Sequence, residues 1–297
     1  MFTLQQLSIK YPSIKIVGNK FTNINNLVAL KSYTEKQDDL TWCNDKNIEK
    51  VRALKSGTVI CSKLILDSDL NEKINYIITE KPRKLFQEIL VAYFYTPPVL
   101  GNISYSSCIH PTVKLGKKIS IGNYTTIEED CEIGDNVYIG NNNVILKGTK
   151  ISDNVFIGHN NTIGGIGFGY EKNEQGHFIL IPHIGNVVIH SYVEIGNNTC
   201  IDRAVLGSTI IHKNCKIDNL VHIAHNVEIG SNSVIIANAM IGGSVFIGEN
   251  VWVAPTASII NGISLGDNSL VGLGSVVIKS VEKEQIMVGN PAKNIKK

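Results

Sequence analysis

The sequence predicts a mainly β protein, in which a parallel β-helix of hexapeptide repeats follows a small α/β domain. Three observations support this prediction. An aliphatic residue recurs at every sixth position over most of the chain beyond residue 100; glycine, asparagine and aspartate follow many of these aliphatic residues; and the first 100 residues lack the rhythm. We therefore expect three regions: an α/β domain at 1–100, a β-helix at 101–281 and a tail at 282–297.

The six-residue period is the strongest signal in the chain. Isoleucine or leucine occupies ten consecutive positions, six residues apart, from Ile109 to Ile163. A four-residue insertion at 204–207 shifts the phase, and twelve aliphatic positions then run from Ile211 to Val277. A period of six fits neither an α-helix nor an alternating strand, but it fits a hexapeptide β-helix in which one aliphatic side chain per hexad points inward.

The phase of the repeat predicts which residues stack. Three hexads complete one triangular coil in solenoids of this kind, so we expect Ile223 to stack under Ile241 and over Leu206 or its neighbour. Residues 164–188 break the rhythm with a glycine-rich and polar stretch. We expect this stretch to leave the coil as a loop, because loops on a rigid scaffold often carry binding and catalytic residues.

Short helical and strand patterns alternate in the first 100 residues, as is typical of a small α/β domain. The opening helix should end before Pro12, because proline lacks the N–H that continues a helix. The other predicted elements are strands at 14–17 and 58–61, helices at 45–54 and 83–94, and a linker at 96–98.

Charge and composition exclude some classes of function. Lys and Arg number 28 against 26 Asp and Glu, so the chain lacks the basic excess that a nucleic-acid grip requires. No apolar run reaches the ~18 residues of a membrane-spanning helix, and the N-terminus lacks the apolar core of a secretion signal. The six cysteines form no CxxC pair. We therefore expect a cytoplasmic protein with reduced thiols and no membrane span.

The densest polar cluster lies at 216–227, and it contains Asp218, Asn219, His222, His225 and Asn226. His225 follows the inward-pointing Ile223 by two residues, which puts it on a turn. A neutral imidazole accepts a proton near pH 7, so His225 suits the activation of an amine or hydroxyl, with Asp218 as one group that would orient it. The alternative is a turn histidine without a catalytic role.

His222 and His225 also form an HxxH pair, which raises the possibility of a metal site. A catalytic zinc ion needs three protein ligands, and the third would be His183, His190 or His212. A zinc-dependent β-helical hydratase therefore stands as a second class of function, and a non-catalytic scaffold as a third. Because no histidine spacing requires a site, the preferred prediction contains no metal.

Several segments together resemble the UDP-3-O-acylglucosamine N-acyltransferases of lipid A synthesis. The resemblance is carried by 166–170, Ile181-Pro182, 193–199, Ile201-Asp202-Arg203 and, most specifically, 218–227, and it extends over most of the chain. It implies a left-handed β-helix and a homotrimer with active sites between subunits. It also implies that His225 is the general base, which takes the proton of a sugar amine as that amine attacks an acyl thioester.

The same resemblance suggests which residues contact the substrate. Beside His225 it indicates Asp218, Asn219, His222 and Asn226, and on the loop it indicates Phe168 and Tyr170.

In the N-terminal domain, 40–47 is similar to the family's uracil-binding motif, with Trp42 to stack on the base and Asn44 to bind it. Asn47 stands where the family has a tyrosine, which leaves both a UDP-linked and a dTDP-linked sugar open.

The C-terminal part departs from the family. Ile263 stands where the family has a second histidine, and no helical extension follows the solenoid before Lys297. Residues 288–293 resemble instead the end of the coenzyme-A-dependent sugar acetyltransferases, which implies a donor groove. We expect that groove to be formed by Gly242, Ala257 and Lys293.

The preferred prediction is therefore an N-acyltransferase that moves an acyl group from acyl-coenzyme A to a nucleotide-linked amino sugar, for a surface glycan or lipopolysaccharide. The alternative is the lipid A enzyme itself, which uses an acyl carrier protein as donor. Neither prediction includes a tightly bound cofactor.

Overall fold

The computed structural model describes residues 1–32, 36–67 and 70–295, and the chain divides into two compact units, Met1–Pro98 and Val99–Lys297. Residues 296 and 297, the end of the predicted tail, lie outside the described residues. In the part of the chain that is described, no helix has both the length and the apolar character needed to cross a membrane.

The first unit is built on a five-stranded sheet in which three neighbouring pairs are parallel and one is antiparallel. Its strands, in sheet order, are Lys15–Val17, Ile74–Ile78, Gly57–Cys61, Asp39–Trp42 and Asn26–Leu27. A short antiparallel pair, Phe2–Thr3 and Asn23–Ile24, accompanies it. The helices are Leu4–Lys10, Ile48–Arg52 and Pro82–Ile89, with 3₁₀ turns at Leu30–Ser32, Asp45–Asn47 and Lys63–Asp67 and a π-helical turn at Leu90–Phe94.

Two predicted helices of this unit are each divided. The one expected at 45–54 begins as a 3₁₀ turn and becomes α-helical only at Ile48–Arg52. The one expected at 83–94 is α-helical over Pro82–Ile89 and ends in a π-helical turn. The opening helix Leu4–Lys10 starts from a capping box in which Thr3 and Gln6 satisfy each other's backbone N–H groups.

The second unit is a left-handed parallel β-helix, as predicted, with three flat sheets that meet at corners. Face 1 consists of Ser120–Ile121, Tyr138–Ile139, Phe156–Ile157, Glu194–Ile195, Lys216–Ile217, Val234–Ile235, Trp252–Val253, Leu270–Val271, Ile286–Val288 and Lys293–Asn294. Face 2 consists of Cys108–Ile109, Thr126–Ile127, Val144–Ile145, Thr162–Ile166, Cys200–Arg203, His222–Ile223, Met240–Ile241, Ser258–Ile259 and Val276–Val277. Face 3 consists of Lys114–Leu115, Glu132–Ile133, Lys150–Ile151, Asn186–Ile189, Ser208–Ile211, Glu228–Ile229, Phe246–Ile247 and Ser264–Leu265.

The aliphatic residue of nearly every hexad points into one continuous core. Ile223 pairs in register with Ile241, as predicted, but its partner in the preceding coil is Ile201 and not Leu206. Leu206 is instead 66% exposed. The prediction was wrong because the four inserted residues bulge out at a corner, so that the coil containing them is longer than three hexads.

The corners depend on asparagine. Left-handed backbone conformations recur there, and asparagine is the residue that adopts them most often; Asn136, Asn154, Asn232 and Asn250 all have φ between 55° and 62°. Asparagine tolerates this region better than other side chains, because its short amide can bond locally. The repeated corner asparagines therefore fix where each coil turns.

Two interruptions lie close together in sequence, and we call residues 164–207 the interrupted region. The excursion at 164–188 forms an antiparallel hairpin from Tyr170–Lys172 and Phe178–Leu180, whose side chains are exposed. At the other end of the chain, the segment predicted as a tail continues the solenoid, because Ile286–Val288 pairs with Leu270–Val271 on face 1.

Candidate active site

His225 lies at a corner, two residues after the end of the face 2 strand His222–Ile223. Its Nδ1 atom is 3.2 Å from Oδ1 of Asn226. The same Oδ1 accepts the N–H of Val205 at 3.0 Å, and the Asn226 amide nitrogen donates to the carbonyl of Leu206 at 3.0 Å. These two bonds fix the orientation of the amide, so the Nδ1 atom of His225 carries the proton. The Nε2 atom therefore holds the free lone pair.

Two glycines allow the chain to close against this imidazole. A Cβ on Gly243 would stand 2.8 Å from both Cε1 and Nε2 of His225, and a Cβ on Gly167 would stand 3.0 Å from its Cδ2. Neither glycine has a positive φ, so their small size is required by the ring and not by the backbone. The N–H of Gly243 forms no hydrogen bond among the described residues.

A partly buried carboxylate and two further histidines lie around His225. The side chain of Asp202 is 14% exposed and lies 3.7 Å from Nε2 of His222. Burial raises the pKa of Asp202, while His222, His225 and His183 act in the opposite direction. The ring of His183 packs edge to face with the ring of His225, with 5.2 Å between their centroids. The site thus brings together three imidazoles and a carboxylate.

Two predicted substrate contacts, Asp218 and Asn219, bond to the backbone or side chains of the coil itself. The Oδ1 of Asp218 accepts the N–H of Asn219, and its Oδ2 accepts the N–H of Ala237. The Oδ1 of Asn219 accepts both the backbone and the side-chain N–H of Asn197. Asp218 therefore holds a corner, and the group that faces Nδ1 of His225 is Asn226 instead.

The predicted loop contacts are exposed, whereas the residues predicted to form a donor groove do not share one environment. Phe168 is 87% exposed and its ring lies 4.9 Å from that of Tyr170, so both stand on the surface of the interrupted region. Ala257 is not at a surface groove: its side chain is fully buried in the core, because it lies two residues before the inward-pointing Ile259. A Cβ on Gly242 would meet the backbone of the next coil. Lys293 is exposed.

The histidines considered for zinc divide into two groups. His183 and His222 lie near His225 and Asp202. His190 and His212 stack on each other at 5.1 Å, and Nε2 of His212 lies 2.8 Å from Glu228. Burial, and then the neighbouring His212, lower the pKa of His190. Within residues 1–32, 36–67 and 70–295, no three His, Cys, Asp or Glu side chains are grouped as metal ligands would be.

In the N-terminal unit, Trp42 and Asn44 line one pocket of about 910 Å³. The indole of Trp42 lies 5.9 Å from the ring of Phe86, an aromatic neighbour that the sequence did not suggest. The Oδ1 of Asn44 accepts the side-chain N–H of Asn47. Basic side chains, Lys81, Arg83 and Lys84, also line the pocket.

Sequence reasoning gave no role to the carboxylate and the glycines at the site. Asp202 belonged to a recognised motif, but its position beside His222 was not available from the repeat, because the pairing of Ile201 with Ile223 depends on where the four-residue insertion is absorbed. No sequence signal placed Gly167 beside His225, since the excursion returns to the coil by contacts distant in sequence.

Comparison with known proteins agrees with this fold. Residues 112–147, 130–165 and 208–243 match the family model described as bacterial transferase hexapeptide (six repeats). Two solved UDP-N-acetylglucosamine acyltransferases, from Campylobacter jejuni and Bacteroides fragilis, superpose with a TM-score of 0.59 over 65% of this chain and 73% of theirs, at 24% identity. The architecture is that of the hexapeptide-repeat acyltransferases.

Closer relatives define the family. The chain is 40% identical over 261 residues to a UDP-3-O-acylglucosamine N-acyltransferase of Protochlamydia amoebophila, a match that covers 81% of this chain and 73% of that protein. It is 35% identical over 298 residues to the protein of the same name from Campylobacter lari, covering 96% and 90%. The chain belongs to the UDP-3-O-acylglucosamine N-acyltransferase family and is an acyltransferase.

Proposed function

We propose that the protein transfers a 3-hydroxyacyl chain from an acyl carrier protein to the amine of UDP-3-O-acylglucosamine, a step of lipid A synthesis. The observation that carries this proposal is the His225 imidazole, whose Nδ1 proton is held by Asn226 and whose Nε2 is free. The names of the relatives favour this activity over the acyl-coenzyme A enzyme that the C-terminal departures predicted.

The reaction follows from the position of this lone pair. The sugar amine attacks the thioester carbonyl while Nε2 of His225 takes one proton from the attacking nitrogen. The carbonyl becomes an oxyanion, for which the free N–H of Gly243 is a suitable donor. When the tetrahedral intermediate collapses, the amide forms, the carbon–sulfur bond breaks, and the His225 imidazolium returns the proton to the leaving thiolate.

Asp202 supports the charge that develops on the base. When His225 takes the proton of the attacking amine it becomes an imidazolium, and a nearby carboxylate stabilises that cation. Burial strengthens this interaction, because little water screens a side chain that is 14% exposed. Asn226 positions His225 and also pins the insertion through Val205 and Leu206.

We assign the nucleotide to the N-terminal pocket. Trp42 and Phe86 offer aromatic surface to a flat pyrimidine, and Lys81, Arg83 and Lys84 offer positive charge to a diphosphate. A uracil or a thymine would stack equally well on this surface, so the acceptor test below includes both nucleotides. We also propose that the protein forms a homotrimer, with each site completed by a neighbouring subunit.

The experiment measures amide formation by mass spectrometry for a panel of donors and acceptors. The donors are 3-hydroxyacyl carrier protein and acetyl-coenzyme A, and the acceptors are UDP-3-O-(3-hydroxyacyl)glucosamine and a dTDP-linked amino sugar. We expect turnover only with the carrier protein and the 3-O-acylated UDP sugar. Replacement His225→Gln should reduce kcat by about 10³-fold, as is usual for loss of a general base.

Two results would contradict the proposal. Preferential use of acetyl-coenzyme A, or of the dTDP sugar, would identify an enzyme that modifies another glycan. Full activity of His225→Gln would remove the imidazole from the mechanism. The assembly is tested separately by light scattering on the purified protein, where a monomeric mass would contradict the trimer.

A further inference from the structure

His183 holds an unusual position for a polar side chain. It lies where the excursion returns to the coil, and only 7% of its surface is exposed. Its Nδ1 atom is 2.7 Å from the carbonyl oxygen of Ile181. Because a carbonyl oxygen only accepts, Nδ1 carries a hydrogen and donates this hydrogen bond. Its Nε2 atom is buried and has no hydrogen-bond partner. Buried polar atoms are nearly always paired, so an unpaired one calls for a functional explanation.

The unpaired atom lies beside the proposed base. A Cβ on Gly167 would come within 2.8 Å of Nε2 of His183 and within 2.9 Å of Cβ of His225, so both side chains border the same glycine. The two rings meet edge to face at an angle of 78°. Among titratable groups, the ring of His183 packs against that of His225, and both histidines, like His222, act on the charge of Asp202.

We propose that His183 is a positioning residue that acts through His225, an inference that rests on the function proposed above. Its ring limits the rotation of the His225 imidazole. Because Nδ1 donates to the carbonyl of Ile181, the unpaired Nε2 presents its lone pair beside His225 and contributes negative potential there, as a carboxylate does. Both effects favour the imidazolium formed in the transition state, so His183 should contribute to kcat and leave KM almost unchanged.

Two substitutions separate the roles of the two nitrogens. In His183→Asn the amide reaches the place of Nδ1 and can still donate to Ile181, but nothing stands at the place of Nε2. In His183→Gln the amide reaches the place of Nε2 and can put an acceptor oxygen there, while the bond to Ile181 is lost. A matched control is His177→Gln, on the exposed turn of the same excursion.

We expect His183→Asn to lower kcat by about 10-fold with KM within about twofold, and His183→Gln to retain at least about a third of kcat. His177→Gln should match the wild type. If His183→Gln had the lower kcat and the lower melting temperature of the two variants, His183 would only anchor Ile181, and the proposal would be overturned. Wild-type kcat in both variants would also overturn it.

A second readout does not depend on the identity of the substrates. Carbethoxylation by diethylpyrocarbonate places positive charge on an imidazole as it reacts, and peptide mass spectrometry measures its rate at His225. We expect this rate to fall several-fold in His183→Asn and to be retained in His183→Gln, whether or not any sugar is acylated. An unchanged or increased rate in His183→Asn would overturn the inference while leaving the proposed function standing.

Discussion

The regular coils and the interrupted region, residues 164–207, use similar residues in different ways. In the regular coils, the N–H of Lys117 bonds to the side chain of Asp135, and the N–H of Asp135 bonds to that of Asp153. Each of these carboxylates thus accepts a hydrogen bond from the backbone of a neighbouring coil. Where His225 meets the interrupted region, the partly buried Asp202 lies among histidines, and Nε2 of His183 has no hydrogen-bond partner.

The difference shows where a repetitive fold makes room for chemistry. A perfect ladder pairs its corner groups from coil to coil and leaves few of them free to react. An excursion and an insertion break that pairing. They bring together, at one corner, side chains that a regular coil would keep apart. On the proposed function, stability resides in the ladder and reactivity at its interruption, and the two should respond differently to mutation.

The largest effect should come from the ladder itself. Ile235 is fully buried in the core of the regular coils, whereas Ile179 is 53% exposed on the hairpin of the excursion. Replacement Ile235→Ala removes packed methyl groups and leaves a cavity, so the free energy of unfolding should fall by about 2–5 kcal/mol. Ile179→Ala should change it by less than about 0.5 kcal/mol. Urea denaturation followed by circular dichroism measures both, and equal effects would contradict the division.

Two adjacent glycines offer the next contrast. A Cβ on Gly243 would strike the ring of His225, which can turn away only by moving Nε2. We expect Gly243→Ala to lower kcat by about 100-fold, since small displacements of a catalytic group have effects of this size. Steady-state kinetics and the melting temperature, measured together, would show loss of rate in a protein that remains folded.

Gly242→Ala is the matched control. There a Cβ would stand 2.6 Å from the backbone nitrogen of Asn261, which cannot move without shifting the next coil. This variant should lose stability. If Gly242→Ala and Gly243→Ala changed kcat and the melting temperature in the same way, Gly243 would serve the ladder and not the site.

A smaller effect is expected from corner asparagines. Asn226 and Asn238 have nearly the same backbone conformation, with φ of 59° and 61°. Glycine keeps that conformation without strain, so Asn→Gly isolates the side chain. Asn226→Gly removes the acceptor beside His225 Nδ1 and should lower kcat by about 10-fold. Asn238→Gly should leave kcat unchanged, and a comparable loss there would show that the corner conformation, not the amide, matters.

The repeat could be predicted from sequence because its signal is local and recurs many times. One inward aliphatic residue per hexad is visible without any knowledge of the third dimension, and the pairing of Ile223 with Ile241 followed directly. The same phase also determines that Ala257 points inward, although the prediction placed it at a surface. In that case the information was present in the sequence and was not used.

The rest of the site depends on how the interruptions fold. The pairing of Ile223 with Leu206 was wrong because sequence does not show on which side of a corner four extra residues are absorbed. His183 comes near His225 only because the excursion returns across Gly167. Such contacts join residues about 40 positions apart through a hairpin whose path no periodicity describes, so the corner position of His225 was predictable while its neighbours were not.

The smallest effect concerns Asp202, the partly buried carboxylate. Its replacement should raise the stability of the fold and lower the rate of the reaction. Because burial raises the pKa of Asp202, the folded chain binds a proton there more tightly than the unfolded chain does. The stabilising contribution of this group is present at low pH and is lost as the pH rises through the raised pKa. At pH 8 the ionised Asp202 therefore costs stability.

Replacement Asp202→Asn removes that cost, so its melting temperature should exceed that of the wild type at pH 8, by an amount that shrinks towards pH 4. Its kcat should nevertheless fall, because the His225 imidazolium loses a counter-charge. Asp267→Asn is the ladder control: its oxygen accepts the N–H of Glu249, which an amide oxygen also can do. We expect little change there at either pH. Lower stability of Asp202→Asn at pH 8 would mean that the carboxylate is retained for the fold, and the contrast between ladder and interruption would not extend to its charges.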